Sequence, residues 1–210
     1  MMFEWINFAI LLFSVIVFSL LYTLSTMPVT LSEKRGEKAW KECRNYRMIA
    51  MIFEFISLAN IILWLWYPIE AVNWKISESY WWIGVIIGAS IMIPGIILMI
   101  KGMLDAGSET AAPSQETEMY GGIYKYIRHP QTLGEMPMFF AIAFATNSWF
   151  LVLLMTAYVL IYTPIMLYFE EKDLVKRFGE SYTQYQKETG MLFPKWKAWK
   201  TIFQKKEKNS

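Results

Sequence analysis

The chain has one cysteine, Cys43, and one histidine, His129, among 210 residues. A single cysteine excludes an intramolecular disulfide framework and a thiolate metal cluster. A single histidine excludes a histidine-rich metal site. Neither common glycine-rich phosphate loop occurs, nor does HExxH or CxxC, which sets aside the chemistries those motifs carry. Serine-hydrolase chemistry would have to recruit His129, yet there is no G-x-S-x-G elbow. For nucleic acid there is nothing beyond a short basic tail. The first seven residues, "MMFEWIN", lack lysine and arginine, so the first apolar run reads as a span rather than a cleaved signal.

What is present is apolar surface: 55% of residues are hydrophobic and 17% aromatic, with ten tryptophans and fourteen methionines. A bilayer core takes about 20 residues of helix. Runs of that order occur within Phe3 to Leu24, at Met48 to Tyr67 and at Tyr80 to Ile100. A fourth apolar region, Leu133 to Phe169, is too long for one crossing, and "TNSW" at Thr146 to Trp149 offers a tight turn that divides it. The expectation is an all-α integral membrane protein of about five spans. Trp5, Trp64, Trp66, Trp74, Trp81, Trp82 and Trp149 fall near span ends, where indoles favour the headgroup level.

Basic residues sort by connection. The first connection, Ser25 to Arg47, has six; the second has Lys75 alone; the third has Lys101, Lys125 and Arg128; the tail after Phe169 has ten. Cytoplasmic loops collect lysine and arginine. Five spans then place the first and third connections and the C-terminus inside without conflict. The organisation expected is a single membrane domain over 1–210, with three spans in 1–100. A polar loop, a two-span hairpin and a C-terminal helix over the functional site fill 101–210. "SEKRGEKAWKECRNYR" reads as a short amphipathic stretch along the headgroups. In the tail, Leu174, Val175, Phe178, Tyr182 and Tyr185 share one helical face.

Polar chemistry concentrates in "GGIYKYIRHPQTLGE", Gly121 to Glu135, and at Glu170-Glu171. Arg128 and His129 suit an anion, and the backbone N–H groups opening the span after Pro130 add a positive dipole end. Tyr124 and Tyr126 offer ring faces to a cation. Glu170 and Glu171, at the end of the last span, suit an ammonium. Charged residues at span ends also serve simply as interfacial anchors, and that reading stands beside the functional one.

These motifs resemble the integral-membrane methyltransferase group, which includes isoprenylcysteine carboxyl methyltransferases and phospholipid N-methyltransferases. Its pattern is G-x-Y-x-x-x-R-H-P, a helical hairpin, E-E, then F-G-x-x-Y-x-x-Y and a proline. Here it falls on Gly122, Tyr124, Arg128, His129, Pro130, Glu170, Glu171, Phe178, Gly179, Tyr182, Tyr185 and Pro194. The resemblance implies S-adenosylmethionine as cofactor, held at the cytoplasmic end, and a lipophilic acceptor supplied by the bilayer. By position it implies cofactor contacts at Tyr124, His129, Pro130, Gln131, Thr132 and Glu170, and along Glu116, Thr117, Glu118 and Met119. Glu171 or Glu135 is the candidate base for an acceptor that must lose a proton.

Two positions depart from the pattern. Thr132 stands where the group usually has tyrosine. Met166 stands where prenylcysteine methyltransferases hold a substrate carboxylate with arginine, which turns the expectation towards a neutral or zwitterionic acceptor. "RHPQTLGE" also resembles the R-H-P-N-Y-x-G-E of membrane sterol reductases, so an NADPH-dependent reductase is the alternative. A non-enzymatic membrane protein is the third.

Overall fold

The computed structural model describes residues 2–115 and 121–196. Eight α-helices follow one another among them: α1 (Met2–Ser25), α2 (Pro28–Arg35), α3 (Lys38–Leu63), α4 (Trp82–Ala106), α5 (Pro130–Glu135), α6 (Pro137–Ala145), α7 (Trp149–Phe178) and α8 (Glu180–Glu188). Three short 3-10 turns lie between them, at Glu70–Val72, Gly107–Thr110 and Gly122–Lys125. No strand forms among the described residues; pairing is limited to two isolated bridges, Lys75 with Ser148 and Ile127 with Gly190.

Four helices are long and apolar enough to cross a membrane: Met2–Ser25, Lys38–Leu63, Trp82–Thr110 and Trp149–Phe178. The first, second and third apolar runs of the sequence fall on α1, α3 and α4. The fourth region divides where expected. Asn147, in the left-handed region at φ 57°, makes the turn before α7, and Ser148 caps that helix by accepting from the Leu151 N–H. Before the turn the chain forms two short helices, because Pro137 lacks the N–H that would continue α5. Together α5 and α6 carry the chain from the bridge between Ile127 and Gly190 to the turn at Asn147, whose side chain bonds to the Ser77 backbone.

Two features of the sequence reading change. The stretch from Ser32 to Arg47 does not lie flat as one amphipathic element. It breaks at Gly36 (φ 63°), and its second half is the first part of α3, continuous with the following apolar run. The helix of the last apolar run does not end at Glu170-Glu171 either. α7 continues to Phe178 and stops at Gly179 (φ 62°), where α8 begins.

The core lies between α1, α3, α6 and α7, around Leu11, Phe18, Ile61, Trp64, Phe139, Leu151, Met155 and Met166. α4 packs against α5 and α6 through glycines. A Cβ on Gly88 would lie 2.4 Å from the Ala141 carbonyl oxygen, and one on Gly134 would lie 2.3 Å from that of Gly95. Small residues let helix backbones approach closely where lipid offers no hydrophobic drive for association. The outward faces are large and apolar, including Phe13, Ile16, Phe55, Ile97 and Leu160. Water makes such a continuous surface costly, whereas hydrocarbon does not.

At the end opposite the polar connections, Asn147 exchanges side-chain hydrogen bonds with the backbone of Ser77, and Trp149 N–H donates to the Trp74 carbonyl. Phe150 stacks on Trp64. The other end holds ions. Lys176 pairs with Glu33 at 2.7 Å, and Asp173 caps α2 by accepting from the Val29 and Thr30 N–H groups at 3.2 and 2.7 Å. Among the described residues, the basic first and third connections and the C-terminal segment therefore share one end. Lys75 sits at the other.

Candidate active site

The motif "GGIYKYIRHP" reaches the polar end as a 3-10 turn followed by the start of α5. Gly122 is required twice over: its φ is 56°, and a Cβ there would sit 2.1 Å from the Asp105 carboxylate. That carboxylate accepts from the Ile123 N–H at 2.7 Å and pairs with Lys101 at 2.6 Å, fixing the turn to the end of α4. Arg128 and His129 then lie against Gly190 and Met191, whose carbonyls accept their backbone N–H groups at 2.9 and 3.1 Å. Pro130 opens α5 at its first turn, where a missing N–H costs nothing.

Glu171 is the centre of a buried ionic knot. Arg128 Nε donates to its Oε1 at 2.6 Å, His129 Nε2 lies 3.1 Å from the same oxygen, and Gln186 donates to Oε2 at 3.1 Å. Arg128 also donates to the Gln186 and Thr189 carbonyls, tying α5, α7 and α8 together. On its other side, His129 Nδ1 lies 3.3 Å from Glu170 Oε2. Burial opposes a charged imidazole, but Glu170 and Glu171 outweigh it and raise the His129 pKa to about 9. Only the imidazolium donates from both ring nitrogens, which is what two flanking carboxylates require.

Above this knot opens a cavity of about 930 Å³, its mouth included. Tyr124, Arg128, His129, Gln131, Thr132 and Glu170 line it, joined by Tyr182 and Tyr185 from α8. Gln131 donates to the Tyr124 hydroxyl at 2.8 Å and to Thr110 Oγ1 at 3.0 Å, and the Tyr185 hydroxyl donates to the Tyr124 carbonyl. Burial raises the Tyr124 pKa to about 12, so it stays a neutral phenol.

The structure thus brings together Tyr124, His129, Gln131, Thr132 and Glu170 around one cavity, with Pro130 buried beside them. Glu116, Thr117, Glu118 and Met119 lie outside the described residues. Glu171 stands behind the wall, its oxygens already engaged. Glu135 lies one turn of α5 below Thr132 and does not line the cavity. Met166 is fully buried, one turn of α7 before Glu170.

Sequence reasoning missed Arg47, Glu109 and Arg177, which also line the cavity. Arg47 donates to the carbonyls of Ser25, Glu109 and Thr110, and Arg177 pairs with Glu109 at 2.6 Å. They clamp the loop after α4 over the cavity, and the sequence offers no motif for that. Glu54 was also missed, although its signal was plain: a lone carboxylate within an apolar run.

A helical, membrane-type bundle closing Arg-His-Pro and Glu-Glu around one polar cavity defines a class. A family model described as phospholipid methyltransferase matches residues 83–181, from α4 to the start of α8, so this stretch is similar to the integral-membrane methyltransferases. Particular relatives are narrower. The chain is 34% identical over 153 residues to a methanethiol S-methyltransferase of Pseudomonas deceptionensis, covering 64% of this chain and 54% of that one. It is 35% identical over 144 residues to one of Pseudomonas sp. (strain GM41(2012)), covering 62% and 53%. It is 32% identical over 160 residues to methanethiol S-methyltransferase 2 of Bradyrhizobium diazoefficiens, covering 67% and 58%. The chain spans about half the length of these curated relatives. No solved structure matches it.

Proposed function

We propose that the protein is an S-adenosylmethionine-dependent methyltransferase acting on the sulfur of a small, lipophilic thiol. The observation that carries this reading is the convergence of the motif residues on one cavity, with Glu170 left over as an available carboxylate. Glu170 has a single, long contact to His129, keeps 26% of its side chain exposed and faces the cavity. A carboxylate, several tyrosine rings and the amide of Gln131 are the donor set that an amino-acid ammonium, a sulfonium and a nucleoside call for.

In this reading Glu170 holds the ammonium, and Tyr124, Gln131, Thr132, Tyr182 and Tyr185 hold the rest. The residues Glu116 to Met119 remain proposed contacts by position. His129 holds Glu170 in place, while Glu171 anchors Arg128 and His129 instead of serving as base. When bound, the cofactor supplies an electrophilic methyl group. The protein contributes position and a dry site, which are the main levers for a displacement of this kind.

The relatives are named for methanethiol, and that favours a thiol over the phospholipid amine or prenylcysteine acid expected from the motif. Met166 fits, because a thiol needs no counter-charge. The reductase alternative gains nothing from the matches, which all bear methyltransferase names. We further place the cavity and the C-terminus on the cytoplasmic side, on the basic-residue rule. The α5–α6 pair is proposed as the fifth crossing, and the whole chain as one membrane domain.

Calorimetry on the purified protein in detergent, with S-adenosylhomocysteine and NADPH as paired titrants, tests the cofactor. The expected result is binding of the first and not of the second; NADPH binding alone overturns the reading. Transfer of labelled methyl from S-adenosylmethionine to 1-propanethiol, followed by mass spectrometry, tests the acceptor.

A further inference from the structure

Most of the charged side chains that line the cavity are neutralised within the protein. Arg128 and His129 meet Glu171 and Glu170, and Arg177 pairs with Glu109 at 2.6 Å. Asp173 places its oxygens on the Val29 and Thr30 N–H groups that open α2. Arg47 is the exception. It forms no salt bridge among the described residues, and its hydrogen bonds all go to uncharged oxygens.

The guanidinium is also incompletely used. Nη1 donates to the Glu109 and Thr110 carbonyls at 3.0 and 2.9 Å, whereas Nε and Nη2 reach only Ser25, at 3.4 and 3.3 Å. A guanidinium has five N–H donors, so one N–H of Nη2 is left over and two more are held weakly. A half-buried cation in this state is costly, because carbonyl dipoles replace only part of its lost hydration. Such a cation in a cavity wall suits an anionic group on the ligand, met by charge-assisted hydrogen bonds.

Position ties Arg47 to the residues already given to the cofactor. Thr110, whose carbonyl it holds, accepts from Gln131 through its hydroxyl at 3.0 Å, and Gln131 also donates to the Tyr124 hydroxyl. Glu170 lies against His129, two residues before Gln131. One cation without a counter-charge and one available carboxylate thus border the same cavity. An α-amino acid carries an ammonium and a carboxylate on one carbon, and calls for both opposite charges. The cofactor reading gives Glu170 the ammonium but leaves only neutral groups for the carboxylate. Arg128 and His129, the cations of the motif, are already spent on the two glutamates.

We infer that Arg47 binds the carboxylate of S-adenosylmethionine, so that the amino-acid end of the cofactor lies between Glu170 of α7 and Arg47 of α3. The inference rests on the cofactor reading above. Arg47 lies outside residues 83–181, the stretch matched by the phospholipid methyltransferase model. The N-terminal part of the chain therefore completes the site, and Tyr22 and Thr26 also line the cavity. Arginine suits the task, because its planar fork can meet a carboxylate while its other N–H groups keep their carbonyls.

The test is calorimetry on the full chain in detergent with two probes. One is S-adenosylhomocysteine; the other is 5′-deoxy-5′-(3-aminopropylthio)adenosine, which keeps the nucleoside, the thioether and the amine but lacks the carboxylate. The parent should prefer S-adenosylhomocysteine by about tenfold to hundredfold, the worth of bonds to a charged group. In Arg47→Gln the preference should shrink to about threefold or less, with the affinity for the second probe little changed. Arg47→Lys keeps the charge and should keep most of the preference, although it loosens the hold on the Glu109 and Thr110 carbonyls. Glu170→Gln should weaken both probes alike, since both carry the amine. A parent that binds the two probes equally overturns the assignment, whatever the variants do. So does an Arg47→Gln that weakens both by one factor, which is the mark of a loop strap alone, or an Arg47→Lys without the preference. A parent that binds neither probe overturns the cofactor reading, and this assignment with it.

Discussion

Two pairs of carboxylates lie within a few turns of each other, and their surroundings divide them sharply. Glu170 and Glu171, adjacent in sequence on α7, are met by Arg128 and His129. Glu54 and Glu135, far apart in sequence, form no salt bridge among the described residues, although both lie on helices of the bundle. Arg128 and His129 compensate the first pair, and no salt bridge among the described residues compensates the second. Even within the first pair the roles separate. Glu171 has every oxygen engaged, whereas Glu170 gives one long contact and turns to the cavity. Residue type therefore says little here about role. The partners each carboxylate is given decide whether it anchors or binds.

The strongest way to break this comparison is to remove the anchor. Glu171→Gln leaves a buried arginine and a buried imidazolium without their shared counter-charge, a change that typically costs about 3–5 kcal/mol. Denaturant unfolding in mixed micelles should register a loss of that size. A loss below about 1 kcal/mol would mean that the knot is no anchor. Glu170→Gln should behave differently. Its partner is the incoming ammonium, and bonds to charged groups contribute roughly 1.5–3 kcal/mol, or about a tenfold to hundredfold loss in S-adenosylhomocysteine affinity. The fold should survive the change with a similar unfolding midpoint. Should both variants bind like the parent, the motif is an interfacial anchor and nothing more.

How far the sequence disclosed these arrangements depended on whether their cause was local. Apolar runs, the turn at Asn147 and the motif's own spacing are local, and the helices and cavity formed where they pointed. The break between α5 and α6 followed from Pro137, which lay in view but inside an apolar run. The length of α7 did not show, because Glu170 and Glu171 look like the end of a span until Arg128 and His129 arrive from forty residues away to pair with them. Arg47 and Arg177 were equally silent. Each is one basic residue among many until the fold brings Glu109 and its neighbouring carbonyls against it. Glu54 was legible in principle, since an isolated carboxylate in an apolar run stands out.

The pH dependence sharpens the same contrast from the cation's side. His129 has its pKa raised to about 9 in the folded protein against an ordinary 6.5, burial opposing the shift and the Glu170 and Glu171 charges producing it. A group whose folded pKa is raised adds stability that is complete below the unfolded value and is lost as pH climbs through the folded one. The contribution, on the order of 3 kcal/mol, should thus be complete below about pH 6.5 and gone above about pH 9. The parent's denaturation midpoint should fall across this window, while that of His129→Gln should be flatter. A parent midpoint that rises between pH 7 and 9 would contradict the double pairing of the imidazole.

The smallest expected effect concerns the turn of α7 before Glu170. Met166 is fully buried in the core one turn before Glu170, on the face that also carries Thr163. Arginine at this position would put a charge into the core one turn from Glu170, so Met166→Arg would confound acceptor choice with unfolding and with the loss of Glu170 from the cavity. Leucine conserves the volume, and such exchanges usually cost less than about 1.5 kcal/mol. It exchanges a flexible thioether for a stiffer branched chain at the position proposed to face the acceptor. In Met166→Leu, S-adenosylhomocysteine affinity should remain within twofold of the parent, because Met166 does not line the cofactor cavity. The KM for 1-propanethiol should move by a few-fold, and by more for a longer alkanethiol, whose tail meets the altered wall. If the cofactor affinity moves and the thiol KM does not, Met166 belongs to the support of Glu170. The seat for the thiol would then have to lie on another face of α7.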